Sequence, residues 1–356
     1  MSRLLNNKTK RLVPYTPGEQ PKDAQYVKLN TNESPFPPSE KAVKYAQAEL
    51  DRLMLYSDPD CTPLVKKAAE VFGVAEDELL FTNGSDEILN FAFMAFCDEE
   101  RPVAFPDITY GFYPVFAELN GVPYEEIPLD KDFKVNVEDY ISIGKNIFLA
   151  NPNAPTGIAL GLDEIESIVK SNPDNLVVID EAYVDFGAES AIGHIKKYDN
   201  LLVTRTFSKS RSMAGARLCF GIACRELIAD LNTVKYSTNP YNVNRVTMAA
   251  GTGSLCDEEY TLKNLEIIKE NRELTVCELE KLGFKVLPSK ANFVFACHPF
   301  FDGERLYKLL KENGVLIRHF NKQRIKNFNR ITIGTKEQMQ TLTNKIKTIF
   351  TSEGLI

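Results

Sequence analysis

"LLVTRTFSKSRSMAGARLCFG", residues 201–221, sets two apolar runs around a short polar loop. The run "NLLVTRT" (200–206) is rich in β-branched residues and reads as a buried strand, and "LCFGIA" (218–223) reads as another. Between them stands Lys209. Lysine is costly to desolvate, so read alone Lys209 is an ordinary exposed loop residue. In an open α/β sheet, however, ligands bind just beyond the carboxyl ends of the strands. Whether Lys209 works or merely dissolves in water depends on what surrounds this stretch.

Five more runs of the same kind precede it: "ELLFT" (78–82), "PVAFP" (102–106), "YEEIPL" (124–129), "NIFLA" (146–150) and "NLVVID" (175–180). Helical segments at 85–97, 111–120 and 162–171 lie between them. Continuous Val/Ile/Leu/Phe runs alternating with helices predict an α/β fold, with a mostly parallel sheet between helices. Earlier, "EKAVKYAQAELDRL" reads as a helix capped by Ser39, and "LVKKAAEVFG" as one closed by Gly73. Later, "LKNLEIIKENRELTVCELEKLG" (262–283) reads as a long helix leading into a smaller α+β domain. Its strands are "FKVLPS", "NFVFACH", "VLIRHF" and "NRITIGT". The first forty residues, rich in Pro and Asn, read as an extended arm. The expected division is an N-terminal arm or lid over 1–40 packing with the small domain, a large domain over 41–255, and the small α+β domain over 256–356.

Composition narrows the function. The 356 residues are 44% hydrophobic and 26% charged, as in soluble globular proteins. A net charge of −7 argues against a nucleic-acid surface. No stretch reaches the length of a membrane span, and "MSRLLNNKTKRLVPY" lacks a signal peptide's apolar core, so a cytoplasmic location is expected. Seven cysteines form no CxxC pair, and His194, His298 and His319 are far apart. Neither a disulfide framework nor a metal site is expected.

The ends of the runs carry the chemistry. After "ELLFT", Gly84 permits a tight turn and Ser85 and Asp86 open a helix whose free N–H groups suit a phosphate. After "PVAFP", Tyr110 and Tyr113 offer ring faces or simply fill the core. After "NIFLA" comes "NPNAPTG", a proline-stiffened turn presenting Asn151 and Asn153. Asp180 ends the next run, with Tyr183 three residues on; buried, it needs a cationic partner or a cleft. Ser208 and Arg217 flank Lys209 and are both suited to phosphate. Each piece has a plain structural alternative. Together they fit pyridoxal phosphate, which needs a lysine for its aldehyde, an acid for its ring nitrogen, an aromatic face and phosphate donors. The rival phosphate motifs GxxxxGK[ST] and GxGxxG are absent.

At this point the sequence resembles the fold-type-I pyridoxal-phosphate aminotransferases, most closely the histidinol-phosphate branch. The resemblance runs from "PYTPGEQP" and "KLNTNESPFPPS" through "YSDPDCTPL", "TNGSDEIL", "TYGFY", "NPNAPTG", "DEAYVDF" and "TFSKSRSMAGARLCFG" to "VLIRHF" and "NRITIGT". It implies that Lys209 is the Schiff-base lysine, that Asp180 pairs with the ring nitrogen, and that Tyr183 reaches the ring hydroxyl. It implies that Tyr110 stacks on the ring and that Gly84, Ser85, Asp86, Thr206, Ser208 and Arg217 surround the cofactor and its phosphate. Tyr56 would reach that phosphate from the neighbouring subunit of a homodimer. Arg330, helped by Arg318, would hold a substrate's carboxylate or phosphate, and Tyr15 and Asn32 would close a lid over it. The implied substrates are a small-molecule amino donor, histidinol phosphate, and a 2-oxo acid, 2-oxoglutarate. An aromatic or broad-range aminotransferase and a threonine-phosphate decarboxylase are the alternatives. Two positions depart from the family pattern. Ala154 stands where an asparagine usually contacts the ring hydroxyl, leaving Asn153 to supply an amide, and Ser34 replaces the last asparagine of the usual "NEN".

Overall fold

The computed structural model describes residues 2–7, 9–22 and 25–355. In chain order its strands and helices begin with β1 (Val27–Lys28), α1 (Glu40–Gln47), α2 (Thr62–Phe72), β2 (Leu79–Asn83), α3 (Ser85–Phe96), β3 (Val103–Pro106) and α4 (Tyr113–Asn120). They continue with β4 (Tyr124–Ile127), β5 (Asn146–Ala150), α5 (Leu162–Ser171), β6 (Val177–Asp180), β7 (Leu201–Thr206), β8 (Leu218–Ile222), α6 (Arg225–Thr238) and α7 (Arg245–Leu255). The C-terminal part holds α8 (Glu258–Lys281), β9 (Lys285–Val286), β10 (Phe293–Cys297), α9 (Gly303–Glu312), β11 (Val315–Leu316), β12 (Arg318–His319), β13 (Phe328–Thr332) and α10 (Lys336–Ser352).

All seven apolar runs enter one sheet, in the order β2-β8-β7-β6-β5-β3-β4. Every neighbouring pair is parallel except the two made by β8, which runs against both β2 and β7. The reversal follows from the connection. Residues 207–217 return the chain directly, without the long helical crossover that a parallel neighbour requires. Lys209 and Arg217 lie on that return, at the carboxyl end of the parallel strands.

Side chains alternate across this sheet. Ile147, Leu149, Val177, Ile179, Leu201 and Val203 face one core with Ile165, Ile168 and Val169 of α5. Phe148, Val178 and Leu202 face the other, against Ile88, Leu89 and Phe93 of α3. Both faces are covered, which is why these strands read as unbroken apolar runs.

Helix ends follow local chemistry. The Ser39 hydroxyl accepts from the Ala42 N–H at 3.2 Å, and Gly73 closes α2 at φ +68°. The segment read as one helix over 40–53 divides into α1 and a 3-10 turn at Leu50–Arg52.

A four-stranded antiparallel sheet, β12-β13-β10-β9, packs with α8, α9 and α10 around Leu279, Leu306, Leu342, Ile346 and Phe350. The run "VLIRHF" serves two sheets. Its first half, β11, pairs in parallel with β1, and its second half, β12, joins β13. The N-terminal arm is therefore anchored, with Leu29 buried in the same core. Among the described residues no helix is long and apolar enough to cross a membrane.

Candidate active site

The carboxyl ends of the parallel strands open into two adjoining cavities of about 350 and 430 Å3. Thr31, Tyr110, Ala154, Tyr183 and Lys209 border both. Asp180, Ser85, Asp86, Thr206, Ser208 and Arg217 border the inner cavity. Tyr15, Asn32, Arg318 and Arg330 border the outer one.

Asp180 ends β6, which is buried along its whole length. Its carboxylate accepts from the Thr204 hydroxyl at 3.0 Å and the Tyr113 hydroxyl at 3.3 Å. It has no ion-pair partner among the described residues. Burial pushes its pKa up to about 6, against the pull of those two hydrogen bonds. A buried carboxylate without a cation, beside a cavity, suits a ligand that brings a protonated nitrogen.

At the amino end of α3, Gly84 turns at φ +82°. A Cβ there would lie 2.3 Å from Arg217 Nη2, so only glycine lets the guanidinium cross the helix start. Arg217 itself adopts φ +54° and donates to Asp86 Oδ2 at 2.9 Å. The Tyr110 hydroxyl donates to the other oxygen, Oδ1, at 2.7 Å. Thr206 and Ser208 share a hydroxyl–hydroxyl bond of 2.9 Å beside them. A helix start, an arginine and two hydroxyls are a donor set for a phosphate.

Lys209 Nζ donates to the Thr31 carbonyl at 3.3 Å and sits 5.7 Å from the centre of the Tyr183 ring. In the outer cavity, Arg330 donates to the Asn30 carbonyl at 2.9 Å and its guanidinium lies over Phe293 and Phe320. Its Nε is buried without a hydrogen-bond partner, and burial lowers its pKa. Arg318 donates to the Thr16 and Pro17 carbonyls, and Tyr15 packs on Phe112 with ring centres 4.2 Å apart.

Asn153, Asn32 and Tyr56 stand as follows. Asn153 does not border either cavity. Its Nδ2 donates to the Ile108 carbonyl and the Thr156 hydroxyl at 2.9 and 3.1 Å, and its Oδ1 accepts from Thr109 at 2.8 Å. Ala154 forms the cavity wall instead, so the amide anticipated at the ring hydroxyl is turned away. Asn32 borders the outer cavity, but both ends of its amide are engaged, with Tyr183 and Thr332. Tyr56 is 80% exposed and stacks on Tyr241 away from both cavities of its own protomer. The sequence reading did not include Glu33, which borders the inner cavity, pairs with Lys28 and accepts from Thr31 at 2.9 Å.

The donor set thus fits pyridoxal phosphate: a lysine, an uncompensated buried acid, and phosphate donors line one cavity. Comparison with known proteins agrees. The aminotransferase class I and II family profile matches residues 24–346. Over 351 residues the chain is 47% identical to a histidinol-phosphate aminotransferase of Brachyspira hyodysenteriae, covering 98% of this chain and 99% of that one. Over 353 residues it is 44% identical to that of Clostridium beijerinckii, covering 99% of each. The histidinol-phosphate aminotransferase of Sinorhizobium meliloti, solved in complex with pyridoxal-5'-phosphate, shares the fold with a TM-score of 0.90 at 20% identity, over 99% of both chains.

Proposed function

We infer the reaction from a plain premise: the chain belongs to the class I and II aminotransferases and is a pyridoxal-phosphate-dependent aminotransferase. We propose that it moves an amino group from histidinol phosphate to 2-oxoglutarate. The relatives' activity supports the substrate. The observation that carries the chemistry is that Lys209 and the cation-free Asp180 border one cavity.

The cofactor supplies an electron-withdrawing pyridine that accepts the electron pair left when the substrate Cα–H bond breaks. The chain's residues do the rest. Lys209 Nζ would take the proton from the substrate Cα and pass it to the cofactor's C4′ carbon, and would carry a proton in the opposite direction in the second half of the cycle. Asp180 holds a proton on the ring nitrogen. Tyr183 donates to the ring oxygen and Tyr110 covers one ring face. Ser85, Thr206, Ser208, Arg217 and the N–H groups of α3 bind the phosphate, with Gly84 leaving room for Arg217. In the outer cavity Arg330 and Arg318 bind the substrate's anionic end, and Tyr15 packs over it.

A homodimer completes this reading, with Tyr56 reaching the neighbouring subunit's phosphate site. Its support is an exposed apolar stretch, Leu50, Leu53, Met54, Leu55 and Tyr56. The three regions 1–40, 41–255 and 256–356 remain the proposed division, and the cytoplasm the proposed location, consistent with seven free cysteines.

A half-reaction screen tests the assignment. The cofactor-loaded protein is mixed with histidinol phosphate, phenylalanine, tyrosine or threonine phosphate in turn. Fastest keto-product formation from histidinol phosphate supports the proposal. Preference for an aromatic amino acid, or carbon dioxide from threonine phosphate, would replace it.

A further inference from the structure

Behind Tyr183 runs a chain of hydrogen bonds whose direction is fixed at its source. The main-chain N–H of Asn32 donates to Thr332 Oγ1 at 3.0 Å. An amide N–H can only donate, so Thr332 oxygen accepts there. The Thr332 hydroxyl proton has one acceptor among the described residues, Asn32 Oδ1 at 3.0 Å, and an inverted amide would leave that proton buried and unbonded. That sets the amide with its oxygen toward Thr332 and its nitrogen toward Tyr183. Asn32 Nδ2 donates to the Tyr183 hydroxyl oxygen at 3.0 Å. The Tyr183 oxygen is therefore an acceptor on this side, and its own proton is left for another acceptor.

The arrangement is held firmly. Asn32 and Thr332 are 1% and 3% exposed, so water does not compete for these bonds. Asn292 Nδ2 donates to the Asn32 carbonyl at 3.0 Å, fixing the backbone in its left-handed turn at φ +56°. Phe293 meets the Tyr183 ring edge-on at 5.1 Å, fixing the ring. With Asn153 turned away and Ala154 in the wall, no side-chain amide supplements Tyr183 here.

We propose that Thr332 and Asn32 are positioning residues that commit the Tyr183 hydroxyl to donate into the cavity. On the reading above, its target is the cofactor's ring oxygen, and the proposal rests on that reading. Donation to this oxygen stabilises the state in which it carries negative charge, which is the state that has lost the proton it shares with the lysine-bound nitrogen. A misdirected hydroxyl therefore makes that proton harder to lose.

The test is a pH titration of the visible absorbance of the protein loaded with pyridoxal phosphate. Lys209, Asp180, Glu33, Asp86, Tyr110 and Arg330 also border the cavities beside Tyr183 and are kept in every variant of the series. Tyr183→Phe sets the scale by raising the midpoint. Asn32→Ala and Thr332→Val should each raise it by about 0.5–1 pH unit, whereas Thr332→Ser, which keeps the hydroxyl, should stay at the wild-type value. Adding Asn32→Ala to Tyr183→Phe should move the midpoint no further, an outcome that general loosening would not give. If Thr332→Val does not fold, the Asn32 variants decide alone. A wild-type midpoint in Asn32→Ala, beside a shifted Tyr183→Phe, overturns the proposal. In a separate control, covalent fixation of the cofactor by borohydride in Lys209→Ala would overturn the reading of Lys209 as the cofactor's lysine, and the proposal with it.

Discussion

The Lys209 amine reaches across 3.3 Å to the main-chain oxygen of Thr31, a residue 178 positions earlier in the chain. The adjacent loop is held by the same segment: the Ser212 hydroxyl donates to Ser34 at 2.8 Å. The arm that carries Thr31 and Ser34 thus holds the lysine where the cavities meet. Lys209→Ala should keep the fold and bind cofactor without a covalent link. Turnover should drop by at least ~10³-fold, the scale of losing a positioned proton carrier. Borohydride fixation followed by mass spectrometry reads the link, and wild-type turnover in the variant would remove Lys209 from the mechanism.

Asp180 gives a pH signature in the cofactor-free protein. Its folded pKa, about 6, lies above its ordinary 3.8, so the native state binds the proton more tightly than the unfolded state. Its contribution is most favourable below the unfolded value and is lost as pH rises through about 6, by at most ~3 kcal/mol. Asp180→Asn should therefore raise apoprotein stability at pH 8 while changing little at low pH. The same change should weaken cofactor binding and slow transfer. Urea unfolding at pH 4 and pH 8 is the check. Equal destabilisation at both would show that Asp180 is not held as an uncompensated buried acid. Glu181, also buried and pushed up to about 7, leaves a second slope in both proteins.

At Gly84 the prediction is steric. Gly84→Ala sets a methyl 2.3 Å from Arg217 Nη2 and strains a backbone at φ +82°. Strain of this kind costs about 1–3 kcal/mol, so cofactor affinity should fall roughly 10- to 100-fold with the secondary structure intact. An equilibrium titration with pyridoxal phosphate measures it. Unchanged affinity would mean that Arg217 need not cross the helix start to hold the phosphate.

Arg330→Ala should act on substrate capture. A lost charged hydrogen-bond pair is worth roughly 1.5–3 kcal/mol, which predicts about a 10- to 100-fold rise in KM for histidinol phosphate. Arg330→Lys should recover part of this, since lysine keeps the charge but not the planar fork. A kcat collapse at constant KM would place Arg330 in the chemistry instead.

The shared site can be tested by mixing two inactive proteins. Tyr56→Ala protomers lack the arm offered to the neighbour, and Lys209→Ala protomers lack the base. Heterodimers regain one intact site, so random re-association should restore about a quarter of wild-type activity. No recovery, with dimers formed, would exclude Tyr56 from the partner's site.

Much of the molecule was legible because its signals are local. Each of the seven apolar runs became one strand; in the inner strands burial on both faces removes any polar alternation, while the edge strand β4 exposes Tyr124, Glu125 and Glu126. Lys209, Asp180 and Arg217 gathered round one cavity because strand ends share an edge. What stayed hidden depends on partners distant in sequence. Helix α7 contains Gly251 and Gly253, which resemble turn signals. They are small because α1 and Leu218 approach closely: a Cβ on Gly253 would lie 2.5 Å from the Lys41 carbonyl oxygen. The split of "VLIRHF" follows from β1, nearly three hundred residues away. The turning of Asn153 follows from Thr109 and Ile108, whose side chain and carbonyl capture its amide.

The bond between Asn32 and Thr332 spans 300 positions, and the strand beginning at Val27 finds its partner only at Val315. A chain still on the ribosome can therefore fold its central sheet long before it has a working pocket. Until residues 318–330 emerge, the outer cavity lacks Arg318, Phe320 and Arg330, whereas every residue round the inner one is already made by position 217. The grip on a substrate's anionic end should therefore arrive with release of the finished chain, later than the parts that hold the vitamin.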